Sequence, residues 1–145
     1  MKKYKFKLEN VLKVRNLHKK MAERDLAQTR AKEAHNQREL DNTRENLKES
    51  YEFLNADLHN LSFWSDVTFR YQNGLRKRES ELEEQKTKIQ EQLEKDQSQL
   101  RRRQRDEHVI EKLKEYDQQE FYRQADLEEQ REIEEIDLLK RGKRK

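Results

Sequence analysis

The sequence predicts an all-α protein built as a long two-helix antiparallel coiled-coil hairpin. Three observations support this prediction. The 145 residues include no proline and two glycines, large aliphatic residues recur at spacings of three, four and seven, and the two ends of the chain differ in charge. Because 45% of residues are charged and only 30% are apolar, the chain lacks the apolar residues for a core of several layers. The regular spacing also argues against disorder.

The first predicted helix covers about residues 4–57. Its seam is a set of leucines in one heptad phase, interrupted by Lys19 and Glu33. These leucines are Leu12, Leu26, Leu40, Leu47, Leu54 and Leu61. The companion positions three or four residues away are mostly small or polar, as at Ala22, Thr29 and Ser50. We therefore expect a thin seam.

A reversal is predicted at about residues 58–66, where Ser62, Ser65 and Asp66 can cap a new helix. Asn73-Gly74 is a competing turn signal. Six of the eleven aromatic residues cluster around the reversal, and we expect some to pack across the turn and others to form an exposed docking patch. They are Tyr51, Phe53, Phe63, Trp64, Phe69 and Tyr71.

The second predicted helix covers about residues 67–140 and is followed by a basic tail at 141–145, with Gly142 as a C-cap. The whole chain, 1–145, is predicted to be one coiled-coil hairpin. The seam of this helix comprises Leu75, Leu82, Ile89, Leu93, Leu100, Ile110 and Leu113, and further aliphatic residues follow at Leu127, Ile133, Ile136, Leu138 and Leu139.

Charge predicts the direction and register of pairing. Residues 1–48 carry a net charge of +7 and residues 49–145 a net charge of −4. If the chain folds back near residue 62, residue i lies opposite about residue 124 minus i, and 2–18 (+5) faces 106–122 (−4). A parallel dimer of straight helices would place like charges together.

This register leaves about residues 123–140 without an intramolecular partner. An apolar stripe bordered by glutamates runs along this segment, and we expect it to bind another protein. The alternative is that residues 1–7 or a different register cover it.

Catalytic and ligand-binding patterns are absent from the sequence. The four histidines are far apart, the two glycines are isolated and cysteine is absent, so we expect no enzyme, no metal site and no cofactor. Arg101–Arg103 and the basic tail could meet phosphates, but Asp106 and Glu107 interrupt the first cluster, and nucleic acid is not an expected partner. Without a membrane-spanning run or a secretory signal, the protein is expected to be cytoplasmic.

The opening stretch 4–15, Tyr-Lys-Phe-Lys-Leu-Glu-Asn-Val-Leu-Lys-Val-Arg, resembles the start of the FliJ family of bacterial flagellar type III export proteins. The segments 111–116, 120–121 and 132–137 are similar to the C-terminal helix of that family. This resemblance implies a two-helix antiparallel coiled coil, similar to the central stalk of rotary ATP synthases, that enters the hexameric ring of the export ATPase.

The resemblance implies a non-enzymatic component, associated with the inner-membrane export apparatus, that promotes assembly and activity of the ATPase ring. It also implies coupling to the membrane export gate protein and to substrate-specific export chaperones. The positions that match the ATPase-binding pattern are Phe6, Leu8, Val11, Leu12, Arg15, Ile133, Ile136 and Asp137. The positions that match the gate and chaperone patch are Tyr51, Tyr71, Leu75 and Leu82.

Two residues depart from the pattern of that patch, since Arg78 stands where a small or apolar residue is expected and Gly74 lies inside it. Three other functions remain open. The chain could be a related stalk protein of a virulence-type secretion system, a coiled-coil scaffold or homodimer without an ATPase partner, or a nucleic-acid-binding helix.

Overall fold

A computed structural model describes the backbone of residues 2–56 and 61–143 and the side chains of residues 2–55 and 65–143. These residues form two helices, α1 (Glu9–Ala56) and α2 (Leu61–Lys143), and no strand. The helices pack against each other, so the predicted all-α two-helix hairpin is confirmed.

The contacts between the helices show that they are antiparallel: residues later in α1 meet residues earlier in α2. Thr29 meets Asp96, whereas Ser50, further along α1, meets Gln72, an earlier residue of α2. Arg44 reaches Glu79 and Glu83. Each partner lies within about four residues of the predicted position, 124 minus i, so the predicted antiparallel register is confirmed.

The chain divides into two compact units. Unit 1 contains Met1–Lys20 and Arg101–Lys145, and unit 2 contains Met21–Leu100. In unit 2 the predicted thin seam is present: Leu40 and Leu82 are 0% and 1% exposed, and small or polar residues separate the large aliphatic ones. The buried small and polar residues of this seam are Ala22, Thr29, Asn36, Thr43, Ser50, Thr68 and Gln72.

Most polar seam residues of unit 2 have a hydrogen-bond partner. The Thr29 hydroxyl donates to a carboxylate oxygen of Asp96 at 2.5 Å, and the Asn36 amide donates to the backbone carbonyl of Leu82 at 3.1 Å. The Gln72 amide donates to the Ser50 hydroxyl at 3.1 Å. Because an unpaired polar group inside the seam would be costly, these pairs favour one register over its neighbours.

In unit 1, helix α1 starts at Glu9 rather than at about residue 4. Four lysines precede this residue, and their charges oppose the positive end of a helix dipole, whereas the Glu9 carboxylate complements it. Residues 2–6 are not helical. The Tyr4 hydroxyl instead donates to Asp117 of α2 at 3.0 Å, and its ring packs against Phe121 with ring centroids 5.4 Å apart.

The predicted reversal at 58–66 overlaps the start of α2. Helix α1 ends at Ala56, close to the predicted residue 57, but α2 already begins at Leu61. Asp66 is therefore not a cap: its carboxylate forms an ion pair with Arg70 at 3.2 Å, one turn further along the helix. The low helix propensity of β-branched residues costs only a few tenths of a kcal/mol each, too little to delay the start. Residues 57–60 lie outside the described residues.

Neither glycine marks a turn or a cap. Asn73 and Gly74 lie inside α2, so the competing turn signal was wrong. Gly142 is also helical, and no described glycine has a positive φ, so the C-cap prediction was wrong. Basic residues in the last turn complement the negative end of the dipole, and Arg141 pairs with Asp137 at 3.3 Å, which lets α2 continue into the predicted tail.

We expect Gly74→Ala to stabilise the protein by about 0.5–1 kcal/mol, since glycine is a poor helix former and Gly74 is helical. An added Cβ atom would meet nothing within 4 Å, so no steric cost offsets this gain. Urea unfolding followed by far-UV circular dichroism measures the change. Asn73→Ala is the neighbouring control, with a gain of less than about 0.7 kcal/mol. Destabilisation by Gly74→Ala would contradict the helical assignment.

Candidate protein-binding surfaces

The described residues contain no group of three metal-ligating side chains placed to hold an ion. No helix within those residues is long and apolar enough to cross a membrane. The candidate functional surfaces are the apolar residues that the hairpin leaves exposed in each unit.

The C-terminal part of α2 in unit 1, residues 122–143, is exposed at every position. We call this segment the overhang. Ile133 and Ile136 are 60% and 53% exposed, although isoleucine is among the residues most often buried. The prediction that this segment lacks an intramolecular partner is confirmed for the part of the chain that the structure describes. The alternative that residues 1–7 cover the stripe was wrong, because Tyr4 lies beside Asp117 and Phe121 instead.

The exposed aliphatic residues of the overhang occupy two faces. At about 100° per residue, Ile133, Ile136 and Leu139 share one face, while Leu127 and Leu138 lie on the opposite side of the helix. The predicted stripe of Leu127, Ile133, Ile136 and Leu139 is therefore narrower than expected, because Leu127 does not share the face of the other three. We call the surface of Ile133, Ile136 and Leu139 the isoleucine face.

The predicted ATPase-binding residues lie in two separate places in unit 1. Leu8 and Val11 are exposed, and the N-terminal group is anchored beside α2 residues 106–121 through ion pairs of Glu9 with Lys114 (2.9 Å) and Arg15 with Asp106 (3.4 Å). The remaining members of this group, Phe6 and Leu12, are half-buried. The second group, Ile133, Ile136 and Asp137, begins twelve residues after Phe121, about 18 Å further along the helix axis.

A second exposed apolar stripe of unit 1 is not predicted by the seam pattern. Val11 and Val14 are exposed, and each lies one residue ahead of a seam position, Leu12 and Arg15. They border an open groove of about 530 Å³. The groove is lined by Asn10, Val11, Val14, Arg15, His18, Arg103 and Asp106. A search for a second heptad repeat offset by one residue would have found the α1 part of this stripe.

Helix α2 also contributes exposed apolar residues near this groove. Leu113, which was predicted to lie in the seam, is 45% exposed. It follows Asp106 by one heptad and so lies on the same side of α2 as that groove residue. The seam position is occupied instead by Lys114, which is half-buried and pairs with Glu9. Val109 and Tyr116 are exposed as well.

In unit 2 the predicted gate and chaperone residues do not form one exposed patch. Leu82 is fully buried in the seam and Leu75 is half-buried, so the prediction that both contact a partner conflicts with their positions. Tyr51 contacts the Arg76 guanidinium, which lies 5.8 Å from its ring centroid. Tyr71 is exposed on the other side of the seam, because it precedes seam residue Gln72 whereas Arg76 follows seam residue Leu75.

The aromatic cluster is exposed where it is described. Phe53 and Phe69 are 46% and 57% exposed, similar to the two tyrosines of unit 2. The side chains of Phe63 and Trp64 lie outside the described residues, so the predicted packing across the turn stays a prediction for them. The described aromatic residues leave substantial apolar surface open to a partner.

A buried ion pair anchors unit 1 near the groove. Glu107 is 5% exposed, and one of its carboxylate oxygens accepts from the Lys19 ammonium at 3.1 Å. The other oxygen is buried and has no hydrogen-bond partner among the described residues. The pair is positioned by the seam, where Lys19 and Glu107 take places that an aliphatic residue would normally fill.

The overhang begins beside a bidentate ion pair. The Arg123 guanidinium donates to both carboxylate oxygens of Glu120, at 3.0 and 2.5 Å. This contact lowers the pKa of the Glu120 carboxyl and raises the pKa of the Arg123 guanidinium. The pair fastens successive turns of α2 at the point where packing against α1 ends.

No protein-family model, no curated protein and no solved structure matches this chain. The fold class is established by the helices and their packing.

We expect Lys19→Met to lower the free energy of unfolding by about 1–3 kcal/mol, because Glu107 would lose its ammonium partner while remaining buried. The double variant Lys19→Met/Glu107→Leu should recover most of this loss, since it removes the buried charge as well. Urea unfolding of the two single variants, the double variant and the parent chain measures the coupling. Simple additivity of the two single effects would contradict a direct interaction.

Tyr4 is expected to ionise at a higher pH than an ordinary tyrosine. Partial burial and the hydrogen bond to Asp117 raise the pKa of the Tyr4 phenol above its ordinary 10.0. Because the folded-state pKa is raised, the stabilisation is complete below pH 10.0 and is lost as the pH rises through the folded pKa. Ultraviolet absorbance titration should show that Tyr4→Phe removes a tyrosine ionisation above the ordinary pKa, whereas the control Tyr116→Phe should leave that ionisation in place.

Proposed function

We propose that the chain is a non-enzymatic stalk of a flagellar type III protein export apparatus, similar to the FliJ family. In this role it inserts into the export ATPase ring and promotes assembly and activity of the ring. It acts in the cytoplasm at the inner-membrane export apparatus and couples the ATPase to the export gate protein and to export chaperones. The observation that carries the proposal is the overhang, an exposed amphipathic helix in unit 1.

The charge of the overhang supports a ring-lining partner with basic side chains. Residues 126–137 contain seven acidic residues and one basic residue around the isoleucine face. Such a surface favours an apolar contact with a cationic rim, and the attraction weakens as salt screens it. Only three aliphatic residues form the isoleucine face, so the engagement is of modest affinity and reversible.

The two groups of proposed ATPase contacts serve different parts of the ring. Leu8 and Val11 lie beside the paired part of unit 1, and Ile133 with Ile136 lies about 18 Å or more beyond it. A partner that contacts both groups must therefore extend along the helix axis, as the bore of a ring does.

The gate and chaperone contacts are proposed for unit 2. Tyr51 and Tyr71 are exposed on opposite sides of the seam, so each can contact a different partner. Leu75 and Leu82 then act from within the seam, where they hold the helices that carry the tyrosines. This division is consistent with binding to a gate protein and to a chaperone by separate surfaces.

The test is stimulation of the export ATPase encoded by the same organism. Addition of the chain should raise ATP hydrolysis and shift the ATPase toward hexamers in size-exclusion chromatography with light scattering. Ile136→Ser should raise the concentration for half-maximal stimulation about 5–30-fold, as expected when an interface loses an aliphatic anchor worth about 1–2 kcal/mol.

Leu138→Ser is the matched control, since Leu138 is also exposed but lies outside the isoleucine face. It should stimulate the ATPase like the parent chain. Stimulation of a virulence-type secretion ATPase in preference to the flagellar one would assign the chain to that system. Absence of stimulation with either ATPase would contradict the stalk proposal and favour a scaffold.

A further inference from the structure

We propose that the isoleucine face of the overhang pairs with the same face of a second copy, in an antiparallel arrangement whose two-fold axis passes beside Ile136. This inference concerns a surface of the chain alone and does not depend on the proposed function. It is based on the charge pattern around the isoleucine face and on the exposure of that face.

The residues of this face form a charge-antisymmetric sequence about Ile136. Two acidic residues, Glu129 and Glu132, precede the face at its N-terminal end, and two basic residues, Lys140 and Lys143, follow it. At about 100° per residue, all four lie within roughly 40° of Ile136 around the helix axis. The face thus carries negative charge at one end, aliphatic residues in the middle and positive charge at the other.

A two-fold axis through Ile136 matches every residue of the face with a suitable partner. Residue i of one copy lies opposite residue 272 minus i of the other, so Ile136 meets Ile136 and Ile133 meets Leu139. The same operation places Glu129 opposite Lys143 and Glu132 opposite Lys140, twice each by symmetry. A parallel pair would place each charge on its own copy and is disfavoured.

The face is free to pair. Ile133, Ile136 and Leu139 are 60%, 53% and 67% exposed. Among the described residues, no salt bridge uses the two acidic or the two basic residues of the face, whereas Asp137 and Arg141 nearby are paired with each other. The complementary charges of the face are thus available to a second copy.

The size of the face predicts a reversible dimer. Fifteen residues of one helix, with three aliphatic side chains, bury less surface than the roughly 1,200–2,000 Å² of a stable interface. Dimers should therefore form at high protein concentration and low salt, and dissociate on dilution. Pairing covers Ile136, so a partner that needs this residue would compete with the second copy.

Sedimentation equilibrium of the full chain over a concentration series tests the proposal. The parent chain should show a monomer–dimer equilibrium that weakens with added salt. Glu129→Lys/Glu132→Lys should weaken dimerisation at least about tenfold, because four attractive contacts become repulsive. Lysine and glutamate have similar helix propensities, so this variant keeps its helix content, which circular dichroism verifies.

Charge exchange separates specific pairing from a general effect of charge. A mixture of Glu129→Lys/Glu132→Lys with Lys140→Glu/Lys143→Glu should form a heterodimer that neither variant forms alone. The fourfold variant, which carries all these exchanges, should dimerise like the parent chain, because its charges are swapped but still complementary.

Cysteine cross-linking tests the orientation, since the chain has no native cysteine. Ile136→Cys should form disulfide dimers at least about tenfold faster than Glu134→Cys, which lies on the opposite side of the helix. Ile133→Cys mixed with Leu139→Cys should give mainly mixed dimers, because residues 133 of the two copies are separated by about 9 Å along the axis. Mainly Ile133→Cys homodimers would indicate a parallel pair.

Three results would overturn the proposal. The first is a chain that stays monomeric up to about 1 mM at low salt. The second is a dimer whose affinity is unchanged by Glu129→Lys/Glu132→Lys, and the third is a failure of the oppositely charged variants to form a heterodimer. None of these results bears on ATPase stimulation, so failure of the dimer and failure of the stalk proposal are distinguishable.

Discussion

The structure depends on a seam that is only partly apolar. Two side chains, Leu40 and Leu82, are fully buried among the described residues, and hydroxyl or amide groups separate the large aliphatic ones. Each leucine contributes a few kcal/mol when buried, so a seam with few of them is marginal and its polar residues matter. The hydrogen bonds of Thr29 and Asn36 reduce the cost of burying polar groups, and they do so in one register. The thin seam therefore trades apolar burial for specificity of pairing.

Charge distribution supplies the direction that a thin seam cannot. In unit 1 the basic N-terminal segment lies against acidic positions of α2, and the Lys19–Glu107 pair is partly buried within the seam. The Glu9–Lys114 pair has the opposite polarity, with the acidic residue on α1 and the basic residue on α2. Exposed pairs of this kind are worth less than about 1 kcal/mol each, so they select an arrangement more than they stabilise it. Glu107 has a larger influence, because a buried carboxylate without its ammonium partner would be costly. A shift by one heptad would separate this pair.

The sequence predicted the fold class, the antiparallel register and the exposed end of α2, because these follow from heptad phase and segmental charge, which are properties of many residues together. It did not predict local features, where the outcome at one or a few positions depends on a small difference between opposing effects. Helix α2 begins at Leu61 because the low helix propensities at residues 61–66 cost less free energy than extending the helix by these residues gains. Gly74 is helical because the residues on both sides of it are helical and helix formation is cooperative. Leu113 and Lys114 exchange their expected positions because a long lysine can occupy the edge of a thin seam while pairing with Glu9. The exposed apolar residues beside the groove of unit 1 were not predicted, because they have the same spacing as the seam and were not distinguished from it.

The unequal lengths of the helices, 48 residues in α1 and 83 in α2, connect the fold to the proposed function. A helix that is not covered by a partner is marginal in water, so the overhang needs local support. Its first turns continue from the packed part of α2, the Glu120–Arg123 pair fastens the junction, and Asp137–Arg141 with the cationic last turn stabilises the far end. A partner therefore meets a helix that is already formed, and binding loses less conformational entropy than folding a disordered segment would. The same preorganisation would benefit either proposed occupant of the isoleucine face, the ring or a second copy, and their concentrations relative to their dissociation constants would decide which one is bound.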